Sequence, residues 1–297
     1  MVGNGVIVTN TYVLVTPAQN EEALIEKTIQ TVINQTILPR MWVIVSDAST
    51  DRTDEIVNQY AAKYDFIKFG RIEKRRQRDF SSKVDAFNVG YNMLKSMEFD
   101  FLGNLDADVS FNPFYYERIL QKFKNNKNLG IAGGVRYDWH NGRFVKVPCA
   151  RNSVGGPFQL FRRQCYETIG GFLPLKLGGE DAVAEITARM HGWIVESFPE
   201  IKVYHHRATG TAMRSLLRAS FFDGIKYYVI GYHPLFQTMR CVYRCKQKPF
   251  ILRSLLTLCG YFWAFAQRYE KSVPKDVLNY FRREQIARLK SLLFITS

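Results

Sequence analysis

Asp106 and Asp108 stand one residue apart, directly after the run Phe101–Leu105, FLGNL. Two carboxylates this close repel each other unless a cation lies between them. Hard divalent ions such as Mg2+ or Mn2+ take such oxygen ligands and commonly share them with substrate phosphates. Two more acidic positions follow apolar runs in the same way. Asn20-Glu21-Glu22 comes after the run that begins at Tyr12, and Asp47 comes after Met41–Ser46. Taken singly, Glu21 and Glu22 read as first-turn charges favoured by a helix dipole, and Asp47 as a turn residue. Asp106 and Asp108 are harder to reduce to either reading.

These carboxylates need elements that end at a common edge. Over the first two hundred residues, short apolar runs alternate with helix-period segments, which argues for βαβ units and a mainly parallel sheet. Tyr12–Thr16 predicts a strand ended by Pro17. Glu22–Gln35 predicts a helix with Leu24, Ile25, Ile29, Val32 and Ile33 on one face. Met41–Ser46 is a second strand, and Asp51 caps the helix after it. Phe66–Phe69 is a third strand, Ser82 caps a further helix, and Phe99–Leu105 is a fourth strand running into Asp106. Gly130–Tyr137, Gly156–Phe161, Val195–Phe198 and Ile201–Tyr204 read as later strands, and Glu180–His191 as a helix. In an open parallel sheet ligands collect beyond the carboxyl ends of the strands, and all three acidic groups fall there.

Together these segments resemble the family 2 glycosyltransferases of the GT-A fold. The resemblance rests on VTPAQNEEALIEKTIQTVINQT, on the run Asp47-Ala48-Ser49-Thr50-Asp51-Arg52-Thr53, and on Lys83 to Gly90, KVDAFNVG. It continues through Asp106-Ala107-Asp108, Gly170-Gly171-Phe172 and Gly179-Glu180-Asp181, and covers about residues 10–210. It implies an α/β, GT-A (nucleotide-diphospho-sugar transferase) fold with a mainly parallel central sheet, and the residues beyond it read as a helical, basic C-terminal extension. It implies a nucleotide-sugar donor, UDP- or GDP-linked, a divalent metal (Mn2+ or Mg2+) and inverting transfer; the acceptor is expected to be a glycan or, from the aromatic and basic tail, a lipid-linked one. Carried onto this sequence, Pro17, Glu21 and Asp47 line the nucleoside pocket and Lys83 sits at the diphosphate. Asp106 touches the ribose or the metal's water shell, and Asp108 ligates the metal with His205 completing the set. Asp181 is the implied catalytic base, with its neighbour Glu180 ranked second. The chain departs from one branch of the family, because it has no Q-x-x-R-W box after Glu180-Asp181. That favours transfer of one or a few sugars over processive polymerisation.

Charge is unevenly spread. The chain has 41 basic and 27 acidic side chains, a net +14, and residues 200–297 alone carry 17 basic against 5 acidic. A near-neutral body with a basic final third predicts an anionic surface partner. The window Pro249–Ala266, PFILRSLLTLCGYFWAFA, is marginal as a membrane span with Arg253 inside it, and reads as a buried or interfacial helix. Two domains are expected, a catalytic unit over 1–210 and a helical extension over 211–297 that makes peripheral membrane contact. The five cysteines are widely spaced and offer no CxxC site, and the N-terminus shows no basic leader, so a cytoplasmic protein at the inner membrane face is expected. A nucleic-acid-binding protein on a degenerate version of the fold would explain the charge but not the order of the acidic clusters, so no nucleic-acid partner is expected. A nucleotidyltransferase would need a glycine-rich basic loop where this chain has PAQNEE.

Overall fold

The computed structural model describes residues 11–73, 80–140, 142–207, 216–245 and 251–294. Its first half follows the alternation read from the sequence. β1 (Tyr12–Ala18), β2 (Met41–Asp47), β3 (Ile67–Ile72) and β4 (Phe101–Asn104) are joined by α1 (Ile25–Ile33), α2 (Thr53–Ala61) and α3 (Ser81–Leu94). These four strands are parallel, in the order β3-β2-β1-β4. Helices cover both faces, so β1 and β2 read as nearly unbroken apolar runs rather than as alternating ones.

The second half is mixed. β5 (Val109–Phe111), α4 (Tyr115–Asn125), β6 (Leu129–His140), β7 (Arg143–Lys146), β8 (Leu160–Arg162), α5 (Arg163–Thr168), α6 (Glu180–Met190) and β9 (Ile194–His205) follow in order. They extend the sheet as β4-β8-β6-β9-β5, with β7 on β6. Only the β6–β9 pair among them is parallel. The mainly parallel sheet is therefore confined to its first four strands.

Five local expectations change. Pro17 lies inside β1, opposite Val45, rather than ending it. Ser82 lies in the first turn of α3, whose N-cap is Phe80, rather than at the cap. Val195–Phe198 and Ile201–Tyr204 belong to one strand, β9. Between Gly133–Val135 on β6 and Ser197–Lys202 on β9 the register shifts, and this irregularity takes up Pro199, which has no N–H to give the ladder. Gly156–Phe158 forms a 3-10 turn at Pro157 instead of a strand, leaving only Leu160–Arg162 paired. Asp51 stands two residues before α2, whose N-cap is Arg52. Its carboxylate nevertheless accepts from the Thr53 backbone N–H at 3.0 Å and from the Thr53 hydroxyl.

The tail is helical: α7 (Leu216–Ile230), α8 (Pro234–Cys245), α9 (Ile251–Ala266) and α10 (Lys275–Phe294). The expected boundary near residue 211 lies outside the described residues. α7 and α9 press backbone to backbone where Gly224 meets Thr257 and Gly260 meets Phe221, leaving no room for a Cβ on either glycine. The extension shares a core with the body, since Val183 and Ile186 of α6 pack with Ile230, Val273, Val277 and Phe281. Of the cysteines, Cys149, Cys165 and Cys259 are free thiols.

Candidate functional site

At the ends of β1 and β2 two loops are tied to each other. Asn20 Oδ1 accepts from Thr50 N–H at 2.8 Å, and Ser49 Oγ accepts from Asn20 N–H at 3.1 Å. Thr53 Oγ1 accepts from Glu21 N–H at 2.7 Å, Asp51 Oδ2 from Glu22 N–H at 3.0 Å, and Glu22 Oε2 from Arg52 N–H at 3.0 Å. Ser49, Asp51 and Thr53 are thus structural members of the D-x-S-x-D-x-T run. Asn20 and Ala48 both hold positive φ, 54° and 51°, an uncommon conformation for residues with a Cβ. The tied loops leave Glu21, Pro17 and the buried Asp47 at this strand-end edge.

The Asp106–Asp108 segment is pinned from both sides. Thr28 of α1, wholly buried, donates its hydroxyl toward Ala107 O and Val109 O at 2.8 and 2.9 Å. On the other side Pro157 O accepts from Asp106 N–H at 2.9 Å, and Gly156 O accepts from Asn104 Nδ2 at 2.6 Å. The 154–159 segment that supplies these carbonyls is itself anchored by Glu185. That buried carboxylate accepts from Val154 N–H at 2.6 Å and from Gln159 Nε2 at 3.0 Å. Burial, reinforced by the charge of Asp181, pushes the Glu185 carboxyl up to about 8.

Lys83, in the first turn of α3, bonds Asp106 through Nζ at 2.7 and 2.9 Å to its two oxygens. Burial opposes the ammonium's charge, but Asp106 and then Glu180 outweigh it and hold the lysine protonated. Glu180 and Asp181 open α6 after Gly178 and Gly179, both at positive φ. Gly179 is the N-cap, and a side chain there would run into Ile230 of α7. Asp181 therefore lies inside the first turn rather than at the cap, with Oδ1 accepting from Ala182 N–H at 2.8 Å. Burial and the adjacent Asp181 raise the Glu180 carboxyl.

His205 ends β9 with Nε2 at 3.4 Å from Asp108 Oδ2 and Nδ1 at 3.2 Å from Asp138 Oδ1. Burial alone would lower its pKa, and the two carboxylates instead lift it to about 9. Asp108 is held below the usual carboxylate range: His205 and Arg207 more than offset the cost of its burial. Arg207 bridges the site, with Nη2 at 2.5 Å from Glu21 Oε2 and Nε at 3.8 Å from Asp108 Oδ2. Burial nonetheless raises Glu21 to about 7, with Arg207 working against the rise. His206 points elsewhere, 2.8 Å from Ser110 Oγ and against the Phe144 ring.

The geometry brings Glu21, Lys83, Asp106, Asp108, Glu180, Asp181 and His205 into one electrostatic network. It does not gather the expected Asp106, Asp108 and His205 around one point, because Asp106 turns to Lys83. Among the described residues no three His, Cys, Asp or Glu side chains form a group that could hold a metal. The donor set still fits a divalent ion at Asp108 and His205. Asp108 Oδ1 is buried with no hydrogen-bond partner, and Asp138 backs His205 as a supporting carboxylate does for a metal-bound imidazole. Asp138, Glu185, Arg207 and Gly156 were not singled out from the sequence as site residues. Only Arg207, next to the two histidines, carried a signal there.

With this geometry in hand, the profile of "Glycosyl transferase family 2" matches residues 13–186, more than half of the chain. The chain belongs to glycosyl transferase family 2. This family 2 chain is 41% identical over 276 residues to the "Probable glycosyltransferase YdaM" of Bacillus subtilis, covering 84% of this chain and 62% of that one. It is 26% identical over 173 residues to a poly-beta-1,6-N-acetyl-D-glucosamine synthase of Staphylococcus epidermidis, spanning 51% of this chain and 39% of the synthase. The chain thus spans about two fifths of the length of such curated synthases. A mannosyltransferase from Pyrobaculum calidifontis, solved with GDP-Man and Mn2+, superposes with a TM-score of 0.57. At 16% identity, over 97% of this chain and 81% of that one, it shows a shared GT-A fold.

Proposed function

We propose that this family 2 protein is a metal-dependent inverting glycosyltransferase that moves a sugar from a UDP- or GDP-sugar to an acceptor hydroxyl. One observation carries the reading: Lys83 is bonded to Asp106 and lies in the field of Glu180 and Asp181, which links the donor edge of the sheet to the start of α6. Glu21, Pro17 and Asp47 hold the nucleoside, and Lys83 neutralises phosphate charge. Asp108 and His205 would hold Mn2+ or Mg2+, which would stabilise charge on a departing diphosphate as a Lewis acid, while Asp106 holds Lys83. The Mn2+ and GDP-Man of the structural relative support this choice. Asp181 accepts the proton of the acceptor hydroxyl as that oxygen bonds the anomeric carbon. The bond from that carbon to the diphosphate breaks, and a single displacement inverts the centre.

The catalytic unit spans residues 1–210, and the extension over 211–297 places it at the inner face of a membrane. No described helix is long and apolar enough to cross a bilayer. Leu235, Met239 and Val242 of α8, with Leu252, Leu255, Phe262 and Trp263 of α9, are nonetheless exposed in the most basic part of the chain. An apolar face with basic neighbours suits an anionic lipid surface and a lipid-linked acceptor. The test of the reaction is Asp181→Asn. Donor affinity should stay within a few-fold of wild type while transfer falls at least ~10²-fold, the scale of lost general base catalysis. Equal loss of donor affinity and rate would make Asp181 a binding residue.

A further inference from the structure

A cavity of about 640 Å3 opens beside β5 and β9, with α1 and α4 as its other walls. Strand alternation places Lys202 and Tyr204 on one face of β9 and the buried Val203 and His205 on the other. The cavity therefore lies across the strand from the Asp108–His205 pair, and Pro17, Glu21, Asp47 and Lys83 take no part in lining it. Lys27 of α1, Arg118 of α4 and Lys202 bring three cations to it. All three are exposed, and among the described residues none forms an ion pair with a carboxylate; Lys202 Nζ instead lies 5.6 Å from the centre of the Tyr137 ring. The nearby carboxylates are engaged. Glu200 pairs with Lys122 at 2.6 Å, and Glu117 accepts from the Thr36 hydroxyl at 2.7 Å. The charge of Asp108 reaches His206 from across the strand, but His205 and Arg207 hold that carboxylate. Lys27, Arg118, Lys122 and Lys202 against Glu117 and Glu200 leave an excess of two positive charges. Thr31, Ser110 and Asn112 add hydroxyl and amide groups to the wall. From the half-buried Tyr204 an aromatic strip continues to Phe144, 4.8 Å between ring centres, and on to Trp139, a further 4.9 Å. Trp139 is 44% exposed.

We propose that this cavity is a second ligand site, for a phosphorylated sugar, separate from the crevice of the transfer reaction. A phosphate monoester carries about −1.5 to −2 at neutral pH, which matches the excess of two positive charges. Arg118 can meet its oxygens with two parallel N–H groups, and the lysines meet it as point charges. A pyranose ring has a face of C–H bonds and an edge of hydroxyls. The C–H face suits the Tyr204 ring, and the hydroxyls suit Thr31, Ser110 and Asn112, so neither is buried at a loss. The volume falls within the range of small-ligand pockets, roughly 300–1,000 Å3, and admits a sugar ring together with its phosphate. An apolar ligand would cover the cations without a counter-charge. A free phosphate would leave the aromatic wall unused. No residue assigned to donor, metal or base lines the cavity, so this site stands or falls apart from the transfer reading.

Glucose 6-phosphate is the probe, titrated calorimetrically into the full chain, with glucose and inorganic phosphate as comparison arms. It should bind one to one and at least about tenfold tighter than either, the scale of one charge-assisted bond. Arg118→Glu and Lys202→Glu should each weaken it by at least about fivefold. Both side chains are exposed, and a melting curve checks that the variants keep the fold. Tyr204→Leu keeps an apolar side chain on β9 and should weaken glucose 6-phosphate while leaving inorganic phosphate unchanged. UDP with Mn2+ at saturation should not displace the probe. Wild-type affinity in both charge reversals overturns the proposal, and so does glucose 6-phosphate held no tighter than glucose or inorganic phosphate. Displacement by UDP would put the probe in the donor crevice and overturn it as well. A chain that binds glucose 6-phosphate in this pattern but binds no UDP would sink the donor reading and leave the second site standing.

Discussion

Gly156→Ala tests the geometry of the base without touching its chemistry. A Cβ on residue 156 would sit against Asp181 Oδ2, 3.0 Å from Asp181 Cγ and 3.1 Å from its Cβ, where ordinary contact begins near 3.4 Å. The 154–159 segment has little freedom to retreat. Its carbonyls hold Asn104 and Asp106, and Glu185 holds Val154 N–H. The yielding partner is therefore the Asp181 side chain, which must swing away by about 1 Å. A misplacement of that size costs about 10²-fold in rate, or about 2.7 kcal/mol of transition-state stabilisation. Donor binding should survive, because the Asp106 backbone bond to Pro157 is untouched. Gly70→Ala on β3 is the control, since its new methyl would meet nothing closer than 3.5 Å. Single-turnover transfer, donor titration and a melting curve on both variants separate rate, affinity and fold. A folded Gly156→Ala protein that transfers sugar within about threefold of wild type would refute the reasoning. In that case either Asp181 is not near the reacting atoms or the segment is softer than its hydrogen bonds imply.

Asp108→Asn should remove the Mn2+ dependence of UDP or GDP binding in a protein that still folds but melts at a lower temperature, because its ion pairs with His205 and Arg207 are lost; calorimetry with and without Mn2+ and a melting curve check it. Glu185→Gln should show a pH-dependent stability difference. The folded carboxyl holds its proton up to about 8 and the unfolded one only to about 4.5, so wild-type stability falls as pH rises through that window and then levels off. Urea midpoints at pH 5 and 8 should show the gap in favour of Glu185→Gln widening by a few kcal/mol, at about 1.4 kcal/mol per pH unit of separation. A constant gap would mean that Glu185 is ionised in the fold. Sedimentation with anionic and neutral vesicles at low and high salt tests the α8–α9 face. Binding should require anionic lipid, weaken with salt, and fall in Trp263→Ser, while a protein left in the supernatant would make that face a packing surface.

The readable part of this molecule is what local chain chemistry writes down. Strand ends followed by carboxylates, a lysine opening α3 and a glycine pair before Glu180-Asp181 are each set by residues within a few positions, and the structure puts them on one network. The supporting residues depend on distant pairings. Arg207 meets Glu21 across 186 residues and Val154 meets Glu185 across 31, and neither segment alone says so. Asp138 reaches His205 only because β6 and β9 run parallel in a register that pairs those two residues, after a shift no period-two pattern could reveal. The split reading of β9 fails for the same reason: Pro199 looks like a terminator until a neighbouring strand absorbs it. Even the D-x-S-x-D-x-T run divides along this line. Its first aspartate ends a strand at the site, while Ser49, Asp51 and Thr53 spend their polar atoms tying two loops together. Sequence spacing marks both sets equally. Only the partners found at the other ends of their hydrogen bonds show that Ser49, Asp51 and Thr53 hold two loops together.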